Sequence, residues 1–200
     1  MRGLLLEYGI VIPQGISQIR KRFLEVIDTS ASDLTPRGKV LFADLYEQLK
    51  ESDQKVLHYD KSILQLCRES EVCQRLTQVQ GVGPLTATAL VAAVGEAKLF
   101  KSGRQMSAWL GLVPRQSSSG GKQILLGISK RGDRYLRSLL IHGARAVVKH
   151  ASRKLDALSC WIRGVKDRRG FNKACVAVAN KNARILWAIM AHGSCYQPKG

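Results

Sequence analysis

Two hundred residues, 45% of them apolar, allow one or two domains with a real core. The 32 Lys+Arg against 15 Asp+Glu give a formal charge of +17 and a pI near 10.1, which points to acidic polymers as partners. Five scattered cysteines without a C-x-x-C pair, no signal peptide after Arg2 and no run of ~18 apolar residues exclude a disulfide scaffold and a membrane span, so the chain is expected in the cytoplasm. The charge is uneven. Residues 1–99 carry 12 basic and 12 acidic side chains, whereas residues 100–200 carry 20 and 3. A neutral scaffold joined to a polyanion-binding domain fits this split.

Taken in order, Arg2–Pro13 begins abruptly, as if inside an element that started earlier. Ile16, Ile19, Phe23, Val26 and Ile27 have helical spacing. Thr29–Gly38 is polar, and Pro36 and Gly38 mark a break. A long helix is then expected from about Val40 to Arg75. In it Phe42, Leu49, Val56 and Ile63 recur every seven residues, as do Leu45, Ser52, Tyr59 and Leu66. Such a seam either packs on Ile16–Ile27 or pairs with another copy of the chain, and self-association is the reading placed first. The expected domains are a helical, coiled-coil-like linker over 1–75 and a second domain over 76–200.

Leu76–Gly95 reads LTQVQGVGPLTATALVAAVG. A helix runs into Gln80-Gly81-Val82-Gly83, and Pro84 stands where the next helix starts. This pattern fits a helix-hairpin-helix, in which Gly81 and Gly83 would free backbone N–H groups for a phosphate. An ordinary helical hairpin with a glycine turn fits the spacing equally well. Phe100–Gly111 is expected as a short helix capped by Ser102, with Met106, Trp109 and Leu110 on its apolar side.

Gly111–Leu136 is the most unusual stretch: GLVPRQSSSGGKQILLGISKRGDRYL. Its Ser-Ser-Ser-Gly-Gly run suggests a short β-hairpin turning at Ser119-Gly120-Gly121. Arg115, Lys122, Lys130, Arg131, Arg134 and Arg137 surround the hydroxyls and would attract phosphate. The serines are readable either as a nucleophile or as loop filler. Gly132–His150 follows as a helix opened by Asp133, with Tyr135, Leu136, Leu139, Leu140, Gly143 and Val147 inward. Arg153–Gly170 reads as a basic connection containing Trp161, either a solvated face or a phosphate contact. Phe171–Ala191 closes as a helix whose buried stripe is Phe171, Cys175, Val178, Ile185, Leu186 and Ile189. Lys173, Lys181 and Arg184 lie between, and Asn180 and Asn182 are either nucleic-acid contacts or helix surface. No His/Cys cluster suggests a metal site. The fold class expected is mainly α: a coiled-coil-like part, then a helical domain with the helix-hairpin-helix-like unit and a short β-hairpin.

Three blocks in order carry a family resemblance: GVGPLTATALVAAVG, then RQMSAWLGLVPRQSSSGGKQILLGISKRGDRYLRSLLIHGARAV, then GFNKACVAVANKNARILWAIMA. Over about Leu76–Pro198 the chain resembles the C-terminal part of Piv/MooV-type insertion-sequence transposases, the DEDD group described as guided by a bridge RNA. The resemblance implies DNA as substrate, a guide RNA as a further partner, and a serine that attacks the DNA backbone, here Ser119 or Ser118. It also implies an N-terminal RuvC-like domain whose four acidic residues bind Mg2+. No such acidic set is found in these residues, so the expectation is a truncated transposase, not autonomous, with no cofactor of its own. The alternative is a non-catalytic, dimerising nucleic-acid-binding remnant.

Overall fold

Residues 1–29, 34–119 and 122–197 are described by a computed structural model. Among them the chain is mainly helical with one two-stranded antiparallel hairpin, as expected. It divides into two units, Met1–Asp60 and Lys61–Gly200.

The first unit contains α1 (Arg2–Glu7), α2 (Ile16–Thr29) and most of α3 (Pro36–Glu69). Pro36 opens α3 and does not break it, because the N–H that proline lacks has no partner in a first turn anyway. Thr35 Oγ1 accepts from Gly38 N at 3.1 Å and satisfies another orphan donor of that turn. The unit's core is Leu5, Ile10, Ile12, Phe23, Leu34 and Phe42. Phe23 stacks on Tyr46 at 4.8 Å between centroids and meets Phe42 edge-on at 6.4 Å. Arg20 Nε donates to Asp53 Oδ2 at 2.6 Å, and its Nη2 donates to Oδ1, clasping α2 to α3. The heptad seam therefore divides. Phe42 and Leu45 pack within the unit, whereas Val56 and Tyr59 are 59% and 64% exposed.

The long helix expected to reach Arg75 ends at Glu69. Ser70 takes extended angles and caps a new helix, α4 (Glu71–Thr77), by accepting from Cys73 N at 3.3 Å. Serine competes for backbone donors, which favours a cap over an uninterrupted helix here. α5 (Pro84–Val94) starts at Pro84 as expected. After a 3-10 turn (Ala97–Leu99), the short helix expected within Phe100–Gly111 forms as α6 (Gly103–Trp109), capped as expected by Ser102, which accepts from Gln105 N at 3.3 Å. The hairpin β1 (Pro114–Ser119) and β2 (Lys122–Ile128) leads to α7 (Arg134–His150), capped by Asp133. The stretch read as a basic connection contains α8 (Ala157–Arg169), started by Asp156, and α9 (Phe171–His192) follows.

The second unit is assembled on α9, which packs against α4, α6, α7 and α8. Its buried Ala174, Ala179 and Ala183 let neighbours approach closely, while Val178, Leu186 and Ile189 fill the core with Leu76, Leu90, Met106, Leu136 and Leu140. Burial pushes the Cys175 thiol up, so it packs as a neutral side chain. Trp187 Nε1 donates to the carbonyls of Ala97 and Phe100 at 3.0 and 3.2 Å, which fixes the 3-10 turn on the same helix. One reading of α7 is reversed. Tyr135, expected inward, is 56% exposed, and Arg137, expected outward, is 8% exposed.

Candidate nucleic-acid interface

The hairpin pairs Ser119 with Lys122, Ser118 with Gln123, Ser117 with Ile124 and Gln116 with Leu125. Below that the register shifts, and Pro114 pairs with Ile128. Arg115 thus stands opposite two residues, Leu126 and Gly127, a bulge that adds twist to the stem. The expected short hairpin forms with strands of six and seven residues, and the turn residues 120 and 121 lie outside the described residues. Ser118, Ser119 and Lys122 are placed by their backbones on the strands, and their side chains lie outside what is described.

The stem is tied to the helices by backbone crossings. Ser129 N donates to Val113 O at 2.8 Å and Lys130 N to Gly111 O at 3.2 Å. A Cβ on Gly111 would lie 2.1 Å from Arg131 O, and one on Gly132 would lie 1.8 Å from Trp109 O. Both have positive φ, so only glycine fits. Arg137 Nη1 donates to Leu110 O at 3.1 Å and lies 3.5 Å from the carbonyls of Arg131 and Asp133. This arginine is a buried bracket between the end of α6 and the return from the hairpin, and it does not face solvent.

Two asparagines on α9 hold the same region. Asn180 Nδ2 donates to Ser107 Oγ at 2.8 Å and Leu112 O at 3.2 Å, fixing the approach to β1. Asn182 is buried and donates to Gln80 O at 2.8 Å, fixing the turn between α4 and α5. Within that turn Gly81, at φ +84°, packs against Gly143 of α7, whereas Gly83 is exposed and open. Neither glycine lines the groove described next.

Between the hairpin stem and α9 runs a groove of about 940 Å³. One wall is apolar, from Leu125, Leu126 and Ile128. Lys173, Val176, Ala177, Asn180, Lys181 and Arg184 of α9 form another, and Lys130 and Trp161 complete it. Among the described residues none of Lys130, Lys173, Lys181 and Arg184 has a carboxylate partner; the ion pairs seen are Arg20–Asp53 and Lys50–Glu47, in the other unit. Lys130 has φ +55°, uncommon for a residue with a Cβ. Of the residues singled out from sequence, Lys130, Lys173 and Lys181 are brought together here. Arg115, Arg131 and Arg134 are exposed around the hairpin and the start of α7. Trp161 and Arg184, which the sequence marks only as parts of a basic stretch and of a helix face, join those lysines in the groove, and the apolar wall was not expected. The signal for the α9 members was available: residues 173, 176, 177, 180, 181 and 184 repeat with helical spacing on a second face. Among the described residues no three His, Cys, Asp or Glu side chains gather where an ion could be held. No helix among the described residues is long and apolar enough to cross a membrane.

A family model described as "Transposase IS116/IS110/IS902 family" matches residues 73–159, which include the glycine turn, the serine hairpin and α7. Over these residues the chain is similar to the transposases of the IS116/IS110/IS902 family. It is 44% identical over 98% of its length to the transposase for insertion sequence element IS1111A of Coxiella burnetii, of which it covers 54%. It is 46% identical over 99% of its length to a probable family 20 transposase of Pseudomonas aeruginosa, covering 59%. The transposase for IS1328 of Yersinia enterocolitica is 35% identical over 98% of the chain, which covers 58% of it. The chain thus spans a little over half the length of these relatives.

Proposed function

We propose that Lys61–Gly200 binds DNA and takes part in its recombination as a segment of an insertion-sequence transposase acting in the cytoplasm. The observation that carries this reading is the pairing of a serine-bearing hairpin with a groove whose four cations have no carboxylate partner among the described residues. Such cations neutralise phosphates and release counterions. In the proposed step the Oγ of Ser119 or Ser118 attacks a backbone phosphorus. An Oγ–P bond forms, the bond from phosphorus to one sugar oxygen breaks, the serine proton passes to water and the departing oxygen takes one up. Lysines and arginines around the hairpin would stabilise the charge that develops on the phosphoryl oxygens. Arg137, being buried, is not counted among them. The turn at Gly81 and Gly83 remains a second proposed phosphate contact, through Gly83 in particular because it is exposed. A guide RNA belongs to the same proposal, as a partner of the basic surface.

Self-association is part of this reading. Val56 and Tyr59 continue the heptad seam of α3 beyond the part that packs on α2, and both are exposed. A second copy of the chain would cover them.

Two measurements test the proposal. DNA affinity should fall steeply with salt, and Lys173→Ala or Lys181→Ala should each reduce the logarithmic salt slope by roughly 1. Affinity that is flat with salt overturns the DNA reading. In a full-length transposase carrying this segment, Ser119→Ala or Ser118→Ala should abolish a detergent-resistant protein–DNA adduct. An adduct unchanged in both variants removes the nucleophile and leaves a nucleic-acid-binding module.

A further inference from the structure

The groove is more apolar than contact with a duplex backbone requires. A protein that touches only phosphates needs cations and hydrogen-bond donors at a surface. Here the cations stand on the rim of a cleft walled by Leu125, Leu126, Ile128, Val176 and Ala177. At its edge the indole of Trp161 is 37% exposed. Lys181 Nζ lies over that ring at 4.9 Å from the centroid, a cation–π contact made by an ammonium with no carboxylate partner among the described residues.

We infer that this groove holds an unpaired nucleotide of DNA flanking the serine, with its base against Trp161 and the apolar wall and its phosphates on Lys173, Lys181 and Arg184. The inference rests on the proposed DNA role. Aromatic faces with adjacent cations are how unpaired bases are held without sequence readout. In a duplex the bases are stacked inside and cannot reach a cleft wall. Lys181 fits both states, because its flexible stem lets the ammonium leave the indole for a phosphate and free the ring face. The position also fits. The Ser119–Lys122 pair is three residues up the hairpin from Leu125, about 10 Å at strand rise, so the cleft takes a neighbour of the attacked phosphate and not the phosphate itself.

The test compares oligo(dT), oligo(U) and a blunt DNA duplex of the same length on the whole chain. Trp161→Ala is expected to weaken oligo(dT) binding on the order of 10-fold while changing duplex binding less than about 2-fold. Trp161→Phe, which keeps an aromatic face, should retain most of the affinity. Tryptophan emission should be quenched by oligo(dT) in the native chain and much less in Trp161→Phe, where Trp109 and Trp187 remain. Equal losses on single strand and duplex, or none on either, overturn the inference. Tighter, Trp161-dependent binding of oligo(U) overturns its assignment to DNA. Binding that depends on salt but not on Trp161 removes this inference alone, whereas no salt-dependent DNA binding at all removes the proposed DNA role with it.

Discussion

Gly81 and Gly143 touch backbone to backbone: a Cβ on Gly143 would lie 1.8 Å from the Gly81 carbonyl oxygen. The contact joins the turn before α5 to the middle of α7. Two effects compete in a Gly143→Ala variant. Alanine is favoured over glycine inside a helix by ~1 kcal/mol. Against that, a methyl group forced into backbone displaces it, at a cost of about 1–3 kcal/mol or more. Since the obstacle is a carbonyl and not a movable side chain, sterics should win. Gly143→Ala is expected to lower the denaturation midpoint by roughly 2 kcal/mol equivalent. Gly164 in α8 is the control: a Cβ there meets nothing within 4 Å. Gly164→Ala should stabilise by ~0.5–1 kcal/mol. Midpoints that move in the same direction in both variants would contradict the packing described.

Asp156 gives an acid limb to stability. Its carboxylate accepts from Ser159 Oγ at 2.8 Å and Ser159 N at 3.0 Å, and the Ser159 hydroxyl is the main cause of its lowered pKa. A carboxyl lowered in the folded state stabilises above its ordinary value of 3.8, and that contribution fades as pH falls below it. Asparagine caps helices about as well but does not titrate. Thermal unfolding followed from pH 6 to about pH 2.5 should show the native chain ahead of Asp156→Asn at the upper end, with the gap closing below ordinary aspartate pKa values near 3.9. A constant gap would show that the carboxylate charge is not what Ser159 holds.

The exposed half of the α3 seam predicts a change of assembly without a change of fold. Val56→Glu with Tyr59→Glu should turn a dimer into a monomer in sedimentation, while unfolding of the monomer shifts by no more than about 0.5 kcal/mol per site, as is usual at surfaces. A native chain that stays monomeric at tens of micromolar would sink the proposed self-association.

Periodicity made most of the helices legible, and chemistry at the caps made several boundaries so. Ser102, Asp133 and Pro84 open their helices where their side chains say they should. The failures have local causes. Ser70 interrupts a helix expected to run on to Arg75, because its hydroxyl offers the next turn a cap. Arg137 occupies a buried position since the distant Leu110 carbonyl converges there with the local ones of Arg131 and Asp133, and no window of sequence around α7 contains Leu110. Tyr135, two residues before it and so toward the opposite face of the helix, is exposed. At the interface the lysines were legible from the charge split. The groove was not, because its walls come from β2, α8 and α9, and only folding shows that Leu125, Trp161 and Lys181 share one space.

The dependence of the second unit on α9 has a consequence for how it comes into being. The glycine turn, the approach to the hairpin and one groove wall are all held by Asn182, Asn180 and the basic face of a helix that follows them in the chain. At synthesis rates of about 5–20 residues per second, the span from Cys73 to His192 takes roughly 6–24 s to emerge. Until then α4, α6, α7 and α8 lack the helix they pack on, and the nascent chain is open to chaperones, to proteases and to other unfinished copies of itself.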